Sequence, residues 1–150
     1  MFEKGFYAIN LILGLLWLRS SLGKIAGGKF VDSLGSTLTK ISPTNPYPFF
    51  KSFLQSVAIP NARLFGQLSM WGEFLTALSI ILASAYLIFF NSKNGLVTFL
   101  LIAGLLGGMF LNTIFWFGFG YTNVSTDGLN LLMFLIELVG VIVLIRLRFA

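Results

Sequence analysis

The 150-residue chain contains no cysteine and no histidine. Without cysteine, it has no means of forming a disulfide, a cysteine-ligated iron–sulfur cluster or a thiolate zinc site. The absence of histidine removes the usual haem and zinc ligands, and also the side chain that most often acts as an acid or base near neutral pH. We therefore expect no haem, iron–sulfur cluster or zinc. Any redox chemistry must use a diffusible organic carrier or a cofactor on another chain.

Charged residues are also scarce, at 10% of the chain, whereas hydrophobic residues make up 57% and the mean hydropathy is +0.91. Soluble proteins average about 25% charged residues. The chain has too few charges to cover a water-exposed surface, so we expect an integral membrane protein with a single domain over residues 1–150. The net charge of +5 comes from bases beside apolar segments. That placement favours a lipid bilayer with anionic headgroups as partner, and not a nucleic acid.

Four apolar segments are long enough to cross a membrane, which takes roughly 20 residues. The sequence predicts an all-α membrane protein, a four-transmembrane-helix bundle with spans at about 5–22, 64–90, 95–119 and 129–148. A polar turn over 91–94 joins the second and third spans. The long first loop, 23–63, carries two amphipathic stripes separated by a proline-rich stretch. This pattern predicts two short amphipathic helices at the membrane face, with lysines, Lys24 among them, toward the headgroups.

Glu73 is the one charged residue between 64 and 90. A charge at such depth costs about 3 kcal/mol or more unless it finds a partner or a proton. At helical spacing, small and polar residues share one face with it: Gly66, Ser69, Glu73, Thr76, Ala77, Ile80 and Ser84. We expect this face to point into the bundle and not toward lipid.

The membrane-embedded polar residues concentrate on the side of the long loop. Counted inward from that side, Arg19 lies about three residues deep, Asn112 about seven, Glu137 about eight and Glu73 about nine. Because isolated polar groups are costly in lipid, we expect these side chains to meet in one half of the bundle. One of the two glutamates is then expected to be protonated near neutral pH, and the pair could relay protons.

Simpler roles exist for the same residues. Arg19 with Glu73, and Glu137 with Asn112, could serve only to hold helices together. Arg19 could also extend its guanidinium to the membrane interface. In the middle of the third span, Gly104 and Gly108 form a G-x-x-x-G pair, which predicts close helix packing. The short loops carry their basic residues on the side of the termini, which predicts cytoplasmic termini.

The sequence resembles the DoxX/DoxD family of small four-span membrane proteins, closest to the DoxD branch. The resemblance extends over nearly the whole chain, and its motifs are Leu18-Arg19-x3-Gly23-Lys24-x2-Gly27-Gly28-x-Phe30, Asn45-Pro46, Phe50-Lys51-x-Phe53-Leu54, Pro60-Asn61-Ala62-x-Leu64-Phe65, Trp71-Gly72-Glu73 and Asn112. It implies the membrane subunit of a thiosulfate:quinone oxidoreductase in a prokaryotic cytoplasmic membrane. It also implies a second, DoxA-like subunit, and a homo-oligomer is the other possible assembly.

The resemblance and the polar residues together give a set of candidate site residues. Candidate catalytic residues are Glu73, Arg19 and Glu137, and candidate substrate-binding residues are Lys24, Asn112, Trp71, Trp116, Asp127 and Asn130. In this hypothesis Arg19 and Lys24 hold an anionic sulfur substrate, Trp71, Phe115 and Trp116 flank a quinone ring, and Glu73 exchanges its proton. The alternative is a non-catalytic membrane protein that anchors or assembles a partner complex. Transport is a third reading, and it would require an oligomer.

Overall fold

The chain folds almost entirely into helices. The computed structural model describes residues 2–90 and 94–149, with side chains over 3–90 and 94–147. The helices are α1 (Phe2–Gly27), α2 (Phe30–Ile41), α3 (Pro48–Phe53), α4 (Ala62–Phe90), α5 (Gly95–Phe119) and α6 (Val124–Phe149). Short helical turns follow at Ser42–Thr44, Leu54–Ala58 and Gly120–Thr122. No strand occurs in these two stretches.

Four of these helices, α1, α4, α5 and α6, are long and apolar enough to cross a bilayer, which confirms the predicted all-α bundle with four spans. Each packs mainly against the next in the chain, α1 on α4, α4 on α5 and α5 on α6. The contact between α1 and α6, which closes the ring, is the thinnest of the four. The shared core consists of aliphatic side chains such as Ile80, Leu101, Leu105 and Leu144.

Two span limits differ from the prediction. The first span was expected to end near residue 22, but α1 continues to Gly27, and Gly28 then takes a left-handed φ of +64° that ends the helix. The fourth was expected to begin near 129, but α6 begins at Val124 because Asn123 Oδ1 accepts a hydrogen bond from the Ser125 N–H at 2.8 Å. Of the predicted turn over 91–94, residues 91–93 lie outside the described residues.

The long loop forms the two predicted short helices, α2 and α3, separated by the proline-rich stretch. Their apolar faces form a second core together with the loop-side ends of α4 and α5. Two hydrogen bonds fix this unit to the bundle: Asn45 Nδ2 donates to the Phe117 carbonyl at 2.9 Å, and the Tyr121 hydroxyl donates to the Ile41 carbonyl at 2.7 Å. The loop therefore forms a lid over one end of the bundle.

The small and polar face of α4 points into the bundle, as its spacing predicted. Glu73, Thr76, Ala77, Ile80 and Ser84 are all buried on it. The glycines of α5 allow this face to come close, because a Cβ at Gly104 would lie 2.8 Å from Ile80 Cγ1. Close packing of α4 against α5 thus encloses the face of α4 that carries Glu73.

Candidate functional site

Glu73 is fully buried, with 0% of its surface exposed, and meets α1 and not another carboxylate. Its Oε1 forms an ion pair with Lys24 Nζ, and its Oε2 accepts a hydrogen bond from Ser20 Oγ at 2.9 Å. Ser20 and Lys24 are four residues apart on α1, so they share a helix face. The ion pair depends on the continuation of α1 past residue 22, which keeps Lys24 on the helix.

Lys24 is surrounded by aromatic rings as well as by the carboxylate. Its Nζ lies 4.8 Å from the ring centroid of Phe30 and 4.9 Å from that of Phe115, and 21% of its side chain is exposed. A cation within about 6 Å of a ring centroid is attracted by the ring's quadrupole. The expectation that Lys24 points toward the headgroups is therefore wrong. A buried carboxylate and two aromatic rings hold it inside the protein instead.

Arg19 does not pair with Glu73, so that suggested contact is wrong. Its side chain is exposed, and the ion pairs among the described residues are Lys24–Glu73 and Arg63–Asp32, the second at 3.4 Å. Arg19 directly precedes Ser20, so its side chain lies about 100° around the helix axis from that of Ser20. The face of α1 that meets α4 is therefore not the face that carries Arg19.

The second carboxylate, Glu137, is also fully buried. Its Oε1 accepts a hydrogen bond from Trp17 Nε1 at 2.8 Å, and its Oε2 accepts one from Asn112 Nδ2 at 2.9 Å. The predicted contact between Glu137 and Asn112 is confirmed. Because Trp17 belongs to α1, Asn112 to α5 and Glu137 to α6, one carboxyl group joins three spans.

Replacing Trp17 with phenylalanine tests this three-helix contact. Trp17→Phe keeps an aromatic ring in the core but removes one of the two donors to Glu137. A lost hydrogen bond within a membrane bundle costs about 1 kcal/mol. We expect Tm in mild detergent to fall, whereas Trp71→Phe, at a tryptophan that is 45% exposed, should leave it nearly unchanged. Equal effects of the two substitutions would contradict the assigned role of Trp17.

A cavity of about 1000 Å³ lies between the bundle and the lid. Its wall is mostly apolar and comes from all four long helices, α1, α4, α5 and α6, and from the two lid helices, with Leu34 and Phe50 as examples from the lid. Polar side chains on the wall are Arg19, Ser20, Lys24, Ser69, Asn112, Ser125, Thr126 and Asn130. The cavity therefore combines a large apolar volume with a few polar groups at one end of the bundle.

The structure places the predicted site residues in three groups. Arg19, Lys24, Asn112 and Asn130 line the cavity. Glu73 and Glu137 lie behind its wall, each hydrogen-bonded to residues that do line it. Trp71, Trp116 and Asp127 are outside the lining.

The two tryptophans expected beside a ligand do not flank the cavity together. Trp71 precedes Glu73 by two positions, which places it about 200° around the helix axis from the buried face, and it is 45% exposed. Its Nε1 donates a hydrogen bond to Gln67 Oε1 at 3.1 Å. Trp116 Nε1 donates to Asp127 Oδ1 at 2.5 Å. This hydrogen bond ties the end of α5 to the first turn of α6. Trp71 and Trp116 therefore do not flank this cavity.

Asn112 has one buried atom without a partner. Its Nδ2 donates to Glu137, but its Oδ1 has no hydrogen-bond partner among the described residues. Asn112 is 1% exposed, so protein surrounds this oxygen almost completely. A buried acceptor usually has a donor. Since this oxygen is enclosed, Asn112 lines the cavity with its other atoms.

A second, smaller hollow of about 200 Å³ lies on the other side of Lys24. Lys24 and Phe30 line both spaces, and the hollow is further lined by Asp32, Arg63 and Gln67. Arg63 and Asp32 are largely exposed, which places the hollow toward the aqueous surface. Lys24 therefore stands between an apolar cavity and a polar hollow.

Sequence reasoning did not select Trp17, Ser20 and the lid residues of this site. Trp17 and Lys24 do have a signal in the sequence, since they continue the spacing of Asn10 and Gly14 along one face of α1. Compared with known protein families, curated proteins and solved structures, the chain matches none.

Proposed function

We propose that the chain is the membrane subunit of a quinone-linked oxidoreductase and that the large cavity binds the quinone. One observation carries the proposal. Lys24, paired with the buried carboxylate of Glu73, stands on the wall of an apolar cavity of about 1000 Å³. A protonated amine backed by a carboxylate is a suitable proton source for a reduced ring. The resemblance of the sequence to the DoxX/DoxD family supports the same proposal.

The cavity has the size and chemistry that such a ligand needs. Small-molecule sites usually measure about 300–1,000 Å³, with mainly apolar walls and few polar groups. Lys24 offers donors to a quinone carbonyl, and the Ser20 hydroxyl oxygen, whose proton goes to Glu73, offers an acceptor to a hydroquinone hydroxyl. Phe115 on the same wall supplies an aromatic face. Oxidised and reduced rings would thus each find a polar partner.

In this proposal Glu73 exchanges protons through its neighbours and not directly. The carboxylate lies behind the wall, whereas Ser20 and Lys24 touch both it and the cavity. Lys24 gives its proton to the reduced ring oxygen and takes one back from the Glu73 side. Glu137 holds Asn112 in place in the cavity wall. The two carboxylates therefore have separate tasks.

The electron donor in the proposal is a small sulfur anion, thiosulfate. Two thiosulfate ions join through a new S–S bond to give tetrathionate and two electrons, and the quinone takes up those electrons with two protons. The polar hollow beyond Lys24, with Arg63 and Gln67, is the nearest place for such an anion. A DoxA-like second subunit, or a second copy of this chain, would complete that side.

The proposal also includes an orientation. We assign both termini to the cytoplasmic side of a prokaryotic cytoplasmic membrane. The turn Gly120–Thr122 and the start of α6 carry no basic residue up to Asp127, whereas Lys4 and Arg146 lie at the other end of the bundle. This arrangement follows the bias of basic residues toward the cytoplasm. The lid, the cavity and the polar hollow would then face the opposite side.

A cavity-filling substitution tests quinone binding. Gly23 lines the cavity and a Cβ there would meet nothing within 4 Å, so the side chain of Gly23→Phe starts in open space and its ring would compete with a ligand for the cavity. We expect organic extraction of the protein purified in mild detergent to yield stoichiometric quinone from wild type and at least about tenfold less from Gly23→Phe. Gly27→Phe is the matched control, since Gly27 has equally open surroundings on the same helix and lies outside the lining.

Two results would count against the proposal. Equal amounts of bound quinone in Gly23→Phe and Gly27→Phe would show that the quinone does not bind in the cavity. Quinone-reducing activity that persists in Glu73→Gln would show that the Glu73 carboxylate takes no part in the reaction. If wild type itself contains and takes up no quinone while remaining folded, the proposed activity fails.

A non-catalytic role in anchoring a partner complex remains the second candidate. The observation that favours it is the hydrogen bonding of Glu137, which joins three spans as a structural contact would. In this case Glu73→Gln lowers Tm, but neither wild type nor the variant binds quinone or thiosulfate. A partner chain recovered with wild type in stoichiometric amount would then identify the anchored complex.

A further inference from the structure

The walls of the cavity are not equally closed. α1 and α6 approach closely at the end away from the lid, where Asn10 Oδ1 lies 3.1 Å from the position that a Cβ at Gly140 would occupy. They are still joined at the level of Trp17 and Glu137, at 2.8 Å. Closer to the lid, Ser20 on α1 and Asn130 on α6 line the cavity. The two helices therefore diverge toward the lid.

The lid does not fill this gap. Its packing partners in the second core are residues of α4 and α5, among them Phe65 and Ile114. On the α1–α6 side, Leu16 and Leu129 line the cavity and yet are 44% and 52% exposed. Both lie within helices that cross the membrane, so their exposed surface faces lipid. Leu68 on α4 and Phe110 on α5 also line the cavity and are exposed, so it is the thin contact between α1 and α6 that marks this side as the more open wall.

Arg19 lies on the rim of the same gap. It is exposed, lines the cavity and stands about two turns before the end of α1. A guanidinium at such depth draws water or lipid headgroups toward itself. A polar head group would therefore pass this rim at less cost than through lipid alone. The opening suits a molecule with both a polar head and a hydrocarbon chain.

We propose that the gap between α1 and α6 is a lateral opening through which a membrane-dissolved amphiphile reaches the cavity, with its ring against Lys24 and Asn112 and its hydrocarbon chain lying in the gap. This inference rests on the proposed function only in its choice of a quinone ring as the head. The ligand's hydrocarbon chain adds little to the binding affinity, because lipid is as apolar as the cavity wall. The opening decides instead which molecules arrive, and it admits prenylated rings from the bilayer ahead of polar rings from water.

Quenching of Trp17 by brominated lipid tests the opening without any quinone. Trp17 is 2% exposed but lines the cavity, whereas Trp71 is 45% exposed on the lipid side. The double variant Trp71→Phe/Trp116→Phe leaves Trp17 as the one tryptophan. The double variant Trp17→Phe/Trp116→Phe leaves Trp71. In nanodiscs whose phospholipids carry bromine on their acyl chains, we expect the fractional loss of emission from Trp17 to be comparable with that from Trp71.

A substitution at the rim should close the path. In the single-Trp17 protein, Leu16→Phe narrows the gap and should lower the quenching, while Ile12→Phe on the exposed lipid side of α1 should not. Emission from Trp17 that brominated lipid leaves unchanged overturns the opening, even if quinone is bound. Strong quenching of Trp17 in a protein that binds no quinone would retain the opening and overturn the proposed activity.

Discussion

Lys24→Met is expected to lower the free energy of unfolding by about 3 kcal/mol, the largest loss that we predict for a single substitution. The variant leaves the Glu73 carboxylate fully buried, with Ser20 as its close hydrogen-bond donor and Ser69 Oγ at 3.5 Å. An unpaired buried charge usually costs about 3–5 kcal/mol. We place the loss at the lower end, because the Ser20 hydrogen bond remains. Chemical or thermal unfolding in mild detergent gives the measurement.

The double variant Lys24→Met/Glu73→Gln separates the ion pair from the packing of the lysine stem. Once the carboxylate is replaced by an amide, no buried charge remains, and we expect most of the lost stability to return. Lys29→Met serves as control, because Lys29 is exposed and its position before α2 requires no side-chain hydrogen bond. A double variant no more stable than Lys24→Met would show that the pair does not couple the two side chains.

The same cycle bears on the proposed chemistry. If Lys24 is the proton donor to a ring in the cavity, both single variants and the double variant lose quinone reduction, although the double variant regains stability. If Lys24 and Glu73 serve only to hold α1 against α4, function follows stability through the series. The ion pair thus distinguishes the oxidoreductase from the anchoring protein.

The number of spans and the inward face of α4 could be predicted because both follow from local pattern. Apolar length determines whether a helix crosses the bilayer, and one charge such as Glu73 among small residues indicates the protected side. The depth comparison also placed Glu137 and Asn112 at the same level, where they form a hydrogen bond. A helical rise of about 1.5 Å per residue makes depth additive along the chain.

The partner of Glu73 could not be predicted in the same way, because it depended on where α1 ends. With the span taken to end at residue 22, Lys24 belonged to the loop and Arg19 became the nearest cation. In the structure α1 continues for about one more turn, through Gly27, and ends at Gly28. A shift of one turn in a helix end therefore changed which base pairs with the buried carboxylate.

The cavity itself depends on tertiary structure alone. Its floor comes from the bundle and its roof from the lid, and the position of the lid depends on contacts between distant residues, such as Asn45 with Phe117 and Tyr121 with Ile41. The amphipathic stripes of α2 and α3 predicted apolar faces but not what those faces would meet. Such an apolar face can be covered by lipid or by protein. In this fold the apolar faces of α2 and α3 pack against α4 and α5.

Gly108→Ala carries the second large effect that we expect, a loss of about 1–3 kcal/mol. A Cβ at this position would overlap Glu137 Oε1 and lie 2.7 Å from its Cδ and 3.0 Å from Trp17 Nε1. Glu137 has little freedom to retreat, because it is fully buried and hydrogen-bonded on both oxygens. Methyl insertion must therefore displace the carboxyl group, break a hydrogen bond or separate the helices. The G-x-x-x-G pair predicted close packing here, and the close neighbour is a carboxylate.

Gly72→Ala is the matched control for this substitution. Its Cβ would lie 3.7 and 3.9 Å from the two Leu111 methyl groups, which is ordinary contact, and alanine is favoured over glycine in a helix by about 1 kcal/mol. Thermal unfolding in the same detergent should therefore show a lower Tm for Gly108→Ala and an unchanged or higher Tm for Gly72→Ala. If Gly108→Ala is as stable as wild type, Glu137 does not occupy the space against that glycine, and it does not join the three spans as described. Restored stability in Gly108→Ala/Glu137→Ala, where the displaced carboxyl group is removed, would locate the overlap at that side chain.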